Sequence, residues 1–190
     1  MRILIACEYS QIVAKAFINK GHSVLSCDLS PGDKGLPHYQ GDLKDVLHQK
    51  WDMIIAFPPC TYLCKAQMWR CNKDAERAKK RDMALEFVQH IWAAACPKII
   101  IENPVGYLNK NWMSPGQIIS PHLFGSHYKK DICLWLKGVP RIKVDKSRIY
   151  KSKYKRVSNH VNSRMSQEQK SKIKSKFFPE VAEAMAEQWG

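Results

Sequence analysis

The chain has 190 residues, 45% of them hydrophobic and six of them tryptophan, which suits one domain with a real core and excludes a disordered chain. No long uncharged apolar run is present, which excludes a membrane-spanning helix, and the apolar N-terminus soon meets Glu8 and reads as a strand rather than a signal peptide. The formal net charge is +14, and thirteen Lys/Arg against two acids between Arg141 and Lys176 account for +11 of it.

In chain order, "RILIAC" (2–7) reads as a strand and "QIVAKAFINKG" (11–21) as an amphipathic helix closed by Gly21. "HSVLSCDL" (22–29) is a second strand ending in Asp28, and "SPGDKGLPHYQ" (30–40) a loop by its Pro and Gly content. "GDLKDVLHQK" (41–50) forms a short helix with Asp42 at its entrance, and "WDMIIAF" (51–57) a third strand that runs into Pro58, Pro59 and Cys60. A polar stretch precedes a long helical pattern from Asp74 to Ala95. "KIIIENP" (98–104) and "KKDICLWLKG" (129–138) are further strands, and "PEVAEAMAEQWG" (179–190) is a closing amphipathic helix with proline at its start. This alternation predicts a parallel α/β sheet covered on both faces, as one domain over 1–190 with a basic segment inserted at 141–176.

Ligands of such sheets bind at the carboxyl ends of the strands. The strands here deliver polar or reactive groups to that edge: Cys7 and Glu8, then Asp28, then Pro58-Pro59-Cys60, then Glu102-Asn103-Pro104. Asp28 stands where an acid bonds a ribose in nucleotide-binding sheets, although a plain capping carboxylate fits the position too. The first turn, "CEYSQIV", lacks the glycines that a dinucleotide pyrophosphate needs, so NAD and FAD are disfavoured while a phosphate-free nucleoside ligand is not.

Most of the seven scattered cysteines read as reduced thiols of a cytosolic protein, and Cys27, Cys96 and Cys133 as core residues. With no CxxC pair, a zinc site is not expected. Cys60 differs, because two fixed-φ prolines hold it just beyond a buried strand, where a thiol of lowered pKa would be a nucleophile. Glu102 directly follows three isoleucines, so burial should favour its neutral form, which can donate a hydrogen bond to a ring nitrogen. A structural Glu capping the next turn is the alternative. The basic block, with Tyr150, Tyr154, Asn159 and His160 among its charges, suits nucleic acid, against the alternative of a merely solvated basic segment.

"GDLKDV", "FPPC", "IENPVG" and "FGSHYKKDICLWL" resemble motifs of the DNA cytosine C5-methyltransferases, most closely the small members encoded by phages and prophages. The closing "FFPEVAEAMAEQWG" is similar to that family's last cofactor-side helix, so the likeness spans nearly the whole chain. The resemblance implies a class I, Rossmann-like α/β fold, S-adenosylmethionine as cofactor, DNA as partner and a cytoplasmic setting in a bacterium or phage-infected host. It implies that Cys60 attacks C6 of a flipped-out cytosine, Glu102 stabilises N3, Asn103 holds the loop or the base edge, and Lys130 contacts base or thiolate. The cofactor would lie along Cys7, Glu8, Tyr9 and Ser10, with Asp28 and Leu29 at the ribose, Asp42 and Leu43 at the adenine, and Pro58 beside them. Lys129, Arg148, Lys151, Lys153, Lys155, Arg156 and Arg164 would grip the nucleic acid.

The chain departs from the family at three places. "CEYSQI" has no glycine, Lys129, Lys130 and Ile132 stand where arginines are usual after "FG", and the large target-recognition domain is absent. Lysine keeps the charge and loses the bidentate fork. Amino-methyltransferases share the two prolines, but Phe57 and Cys60 replace their polar and aromatic residues, which favours C5 chemistry. A catalytically impaired binding protein would need neither Cys60 nor Glu102. RNA as substrate stays open, because a basic block reads phosphate and not sugar.

Overall fold

The structure is a computed structural model that describes residues 1–155, 165–166, 170, 173 and 176–190. Seven strands form one sheet: β1 (Arg2–Ala6), β2 (Ser23–Asp28), β3 (His38–Gln40), β4 (Met53–Ala56), β5 (Ile99–Pro104), β6 (Gln117–Ile119) and β7 (Ile132–Lys137). Their order across the sheet is β3-β2-β1-β4-β5-β7-β6. The first five in that order are parallel, whereas β7 runs antiparallel to both β5 and β6.

The reversal of β7 corrects the expectation of an all-parallel sheet. The other strands are reached through helical crossovers or long loops. Between β6 and β7 there is only a 3-10 turn over Pro121–Phe124, so no helix carries the chain across a sheet face and the strand returns antiparallel. The reversal sets Ile132, the first residue of β7, opposite Pro104, the last of β5. Residues just before β7 therefore reach the same edge at which the parallel strands end.

Alternation along β1 shows how the sheet is buried on both sides. Ile3 and Ile5 pack with Val13 and Phe17 of α1 (Ile12–Ile18) and with Val181, Met185 and Trp189 of the closing helix α6 (Pro179–Trp189). Leu4 and Ala6 face the other way, onto Leu47 of α2 (Lys44–Leu47) and onto Val88 and Ile91 of α4 (Ala75–Trp92). Two-sided burial of this kind explains why β4 and β5 read as continuous apolar runs. The long helix starts one residue after Asp74, whose carboxylate caps the Arg77 N–H at 3.2 Å, and it ends at Trp92. Four short elements within the expected loops were not foreseen: β3, β6, α3 (Lys65–Cys71) and α5 (Tyr107–Asn111). None of them has enough residues to display a hydrophobic period.

After β7 the chain leaves the sheet, and the start of this excursion is tied to α6. The Gln188 amide exchanges two hydrogen bonds with the Lys143 backbone, at 2.7 and 2.9 Å, and the Trp189 indole N–H donates to the Pro140 carbonyl at 3.0 Å. Among the described residues no helix is long and apolar enough to cross a membrane.

Gly138 ends β7 in the left-handed region, at φ 67°, and a methyl group there would collide with the Pro97 carbonyl. Gly138→Ala should therefore lose about 1–3 kcal/mol of stability, the usual range for a residue held in a sparsely populated conformation. Urea unfolding of both proteins measures the difference, and equal midpoints would contradict this packing.

Candidate active site

Cys60 sits in the turn after β4, and its position is set by bonds between that turn and the end of β5. The Asn103 amide, buried, donates to the Pro58 carbonyl at 2.9 Å. Further along, Tyr107 N–H donates to the Leu63 carbonyl at 2.7 Å and Lys65 N–H to the Val105 carbonyl at 3.4 Å, with a bridge between Cys64 and Gly106. Gly106 is required here by space, since any Cβ would strike the Leu63 carbonyl. The turn itself closes with Leu63 and Cys64 N–H groups both donating to the Cys60 carbonyl at 3.0 Å. The residues of "PPC" and "ENPVG" are thus two halves of one backbone assembly.

Three charges meet at this assembly. Cys60 is exposed as a residue, but crowding around its sulfur, and then the charge of Glu102, raise the thiol pKa above its ordinary value, while Lys130 acts to lower it. Glu102 is raised above the usual carboxylate range by burial, against the opposing pull of the same Lys130. Lys130 stands two residues before β7, with its backbone N–H on the Ser120 hydroxyl at 3.2 Å. The reversed β7 is what delivers it. Asn103 also carries a buried side-chain oxygen with no partner among the described residues.

A cavity of about 260 Å³ opens beside the ends of β1 and β2, lined by Cys7, Asp28, Leu29, Asp42 and Leu43 among others. Five of the expected cofactor residues come together there. Asp28 turns one carboxylate oxygen to Ser30 N–H at 2.9 Å, and Asp42 one to Lys44 N–H at 3.0 Å. Both carboxylates, after burial, help raise the pKa of Cys27, to about 11, and of Cys7. Leu29 is 76% exposed, an apolar side chain on the open rim of the cavity. Cys27, Gly41, Pro59 and Phe87 complete the lining; the sequence placed Pro59 at the strand edge and Cys27 in the core, and none of the four was expected at the cofactor. Gly41 carried a signal, since it directly precedes Asp42, but Phe87 had none, because only the packing of α4 brings it in.

Glu8, Tyr9, Ser10 and Pro58 lie outside that lining. The Glu8 carboxylate is buried and caps α1, accepting from Val13 N–H at 2.7 Å, Ala14 N–H at 3.1 Å and the Ser10 hydroxyl at 3.3 Å. Burial outweighs these bonds and pushes its pKa up to about 7. The Tyr9 carbonyl accepts from Asp33 N–H at 2.9 Å, and the Pro58 carbonyl is taken by Asn103. The first turn does without glycine by holding Cys7 and Gln11 in the left-handed region, at φ 59° and 53°. Gln11 is fully buried and uses its amide to organise the loop that follows β2, bonding Ser26, Lys34 and Leu36.

Of the expected nucleic-acid contacts, Lys129, Lys151, Lys153 and Lys155 are exposed. The guanidinium of Arg148 is engaged within the chain, with Asp145 at 3.6 Å and Glu187 of α6 at 3.3 Å. Arg156 and Arg164 lie outside the described residues. Among the described residues no three His, Cys, Asp or Glu side chains gather as metal ligands.

This strand order, with its penultimate strand reversed and its polar groups at one edge, is a Rossmann-like fold of the kind that methyltransferases use. One solved structure of that kind, the methyltransferase EhMeth of Entamoeba histolytica, matches with a TM-score of 0.50 at 14% identity. The match covers 88% of this chain and 62% of that one, so the chain spans less than two thirds of its neighbour's length. No protein-family model matches the sequence, and no curated protein does.

The charge arrangement around Cys60 can be tested without any substrate. In the pH range where Glu102 is ionised, Glu102→Gln removes a charge that raises the thiol pKa, so alkylation of Cys60 by iodoacetamide should become faster. Lys130→Ala removes one that lowers it, so the reaction should become slower. Peptide mapping isolates Cys60 from the other cysteines. Shifts in the opposite directions would show that the three groups do not share a field.

Proposed function

We propose that the protein methylates cytosine at C5 in DNA, using S-adenosylmethionine. The observation that carries this reading is the meeting of Cys60, Glu102 and Lys130 at one strand edge, beside a cavity holding two carboxylates.

The cavity suits an adenosine. Leu29, Leu43, Pro59 and Phe87 offer apolar surface to a flat base, Asp28 accepts from ribose hydroxyls, and Asp42 accepts from the adenine amino group. S-adenosylmethionine supplies the methyl group. The cysteines are all free, which favours a reducing, cytoplasmic setting.

Cys60 acts as nucleophile by adding to C6 of the cytosine. Its thiol must lose a proton first, and Lys130 favours that loss by stabilising the thiolate. Glu102 answers the other half of the charge problem. Burial favours the protonated carboxyl, which can donate to N3 as electron density moves into the ring. A neutral Glu102 also stops opposing ionisation of Cys60. C5, now nucleophilic, would take the methyl group and leave the cofactor as its demethylated thioether, solvent water would take the C5 proton, and expulsion of the Cys60 thiolate would restore the base. Asn103 is a positioning residue, because it holds the Pro58 carbonyl and so the turn that carries the thiol.

Lysines 129, 151, 153 and 155 supply phosphate contacts in place of a target-recognition domain. Binding should therefore depend steeply on salt and select only a short sequence around the cytosine.

The direct experiment is incubation with DNA and methyl-labelled cofactor, then digestion to nucleosides. Label in 5-methyl-2′-deoxycytidine is expected, and Cys60→Ser should abolish it while leaving folding and cofactor binding unchanged. Label in N4-methylcytosine or N6-methyladenine, or retained activity in Cys60→Ser, would overturn the mechanism.

Asp28→Ala should weaken binding of the cofactor or its demethylated product by about 1–3 kcal/mol, as polar partners lose their bonds. Calorimetry measures this. Wild-type protein without affinity for either compound would overturn the cofactor assignment.

A further inference from the structure

Residues 150–155 have almost no regular structure, yet they are held firmly against the loop before β7. Tyr150 N–H donates to the His122 carbonyl at 2.9 Å, Lys155 N–H to the His127 carbonyl at 2.7 Å, and Lys129 N–H to the Lys155 carbonyl at 3.4 Å. A bridge pairs Tyr128 with Lys155. This is the stretch of chain that continues into Lys130, whose charge reaches Cys60 and Glu102.

Rings collect on that seam. Tyr154 meets His122 edge-on with centroids 4.9 Å apart, Tyr150 lies 6.2 Å from Tyr154, and His127 lies 5.8 Å from Tyr150. The cluster is not sealed into a core. Tyr154 is 39% exposed and His127 is exposed. The Lys129 ammonium stands 5.3 Å from the Tyr154 ring centroid, and the exposed Lys151, Lys153 and Lys155 neighbour Tyr150 and Tyr154 along the chain without an ion pair to any described acid.

Partly exposed rings beside cations favour one of two forms of DNA. A duplex hides the faces of its bases and shows a protein only phosphates and groove edges, for which lysines suffice and tyrosines offer little. An unpaired strand presents base faces beside each phosphate, and proteins that hold single strands combine a positive track with aromatic stacking surfaces. We infer that Tyr154, with Tyr150 and His127, is a stacking platform for unpaired nucleotides flanking the reacting cytosine, so that the substrate is single-stranded DNA. This inference rests on the reading of the protein as a DNA cytosine methyltransferase, and it adds the strandedness of the substrate and the residues that select it.

The test is fluorescence anisotropy with a labelled cytosine-containing oligonucleotide, as a single strand and as a duplex with its complement, at matched salt. The strand should bind more tightly than the duplex. Tyr154→Ala should weaken binding of the strand by roughly 5- to 100-fold and leave the duplex unchanged, since a stacking partner is lost. Tyr154→Trp should restore it. Replacing Lys151, Lys153 and Lys155 by alanine should flatten the salt dependence for both forms, whereas Tyr154→Ala should leave that slope intact. Thermal melting of each variant checks that it is folded. Equal or tighter duplex binding, or strand affinity untouched in Tyr154→Ala and in Tyr150→Ala, overturns the platform. Nucleoside analysis of the same oligonucleotides separates the two ideas. Tyr154-dependent strand binding with no 5-methylcytosine defeats the methyl-transfer reading alone, and 5-methylcytosine confined to the duplex defeats the platform alone.

Discussion

Everything proposed for this protein depends on the lacing of one turn to another, the residues after β4 to those at the end of β5. A thiol on a free turn would wander. Here the Asn103 amide, the Tyr107 and Lys65 N–H groups and the side-chain-free Gly106 fix the turn from three directions. Backbone bonds of this kind leave little room for adjustment, and they make the thiol's distance from Glu102 a property of the sheet rather than of a loop. The pairing of β4 with β5 in parallel register, Ile54 to Ile99 through Ala56 to Ile101, then carries that fixity into the core.

The second constraint is the direction of β7. A parallel strand at that place would deliver its leading residues to the far edge of the sheet, about 20 Å away for a strand of this length. Running backwards, it brings Lys130 to the carboxyl end of β5 and gives the buried acid and the crowded thiol a shared cation. One ammonium then favours ionisation of both partners, while their burial opposes it. The balance is set by topology before any side chain adjusts.

Much of this was legible in the sequence, and for identifiable reasons. Strands buried on both faces show as unbroken apolar runs, so β1, β4 and β5 were placed to within two residues, and with them the strand-end groups Cys60 and Glu102. The reversal of β7 was not legible, because apolar runs carry no direction. The short elements β3, β6, α3 and α5 were missed because three to seven residues contain too little of a period to detect. Glu8 looked like a group for the strand-edge cleft, and its carboxylate caps α1. Its use follows from the sharp turn at Cys7, a left-handed backbone that residue type does not announce. Phe87 and Gln11 are the converse cases, ordinary side chains of a helix and a turn that only packing makes important.

The excursion between β7 and α6 has a further consequence. Its beginning is riveted to the far end of α6 through Pro140, Lys143, Gln188 and Trp189, so the chain leaves and re-enters the fold at points held by the core. Between two fixed points, the entropy of closing a loop grows only with the logarithm of its length, and a doubling costs about 0.6 kcal/mol. A span closed at both ends can therefore change in length at little thermodynamic cost to the sheet that holds its ends. The proposed chemistry is anchored where change is expensive, and the surface proposed to hold DNA is hung where change is cheap. A fold partitioned in this way can acquire new partners by altering one span of chain while the strand edge stays as it is.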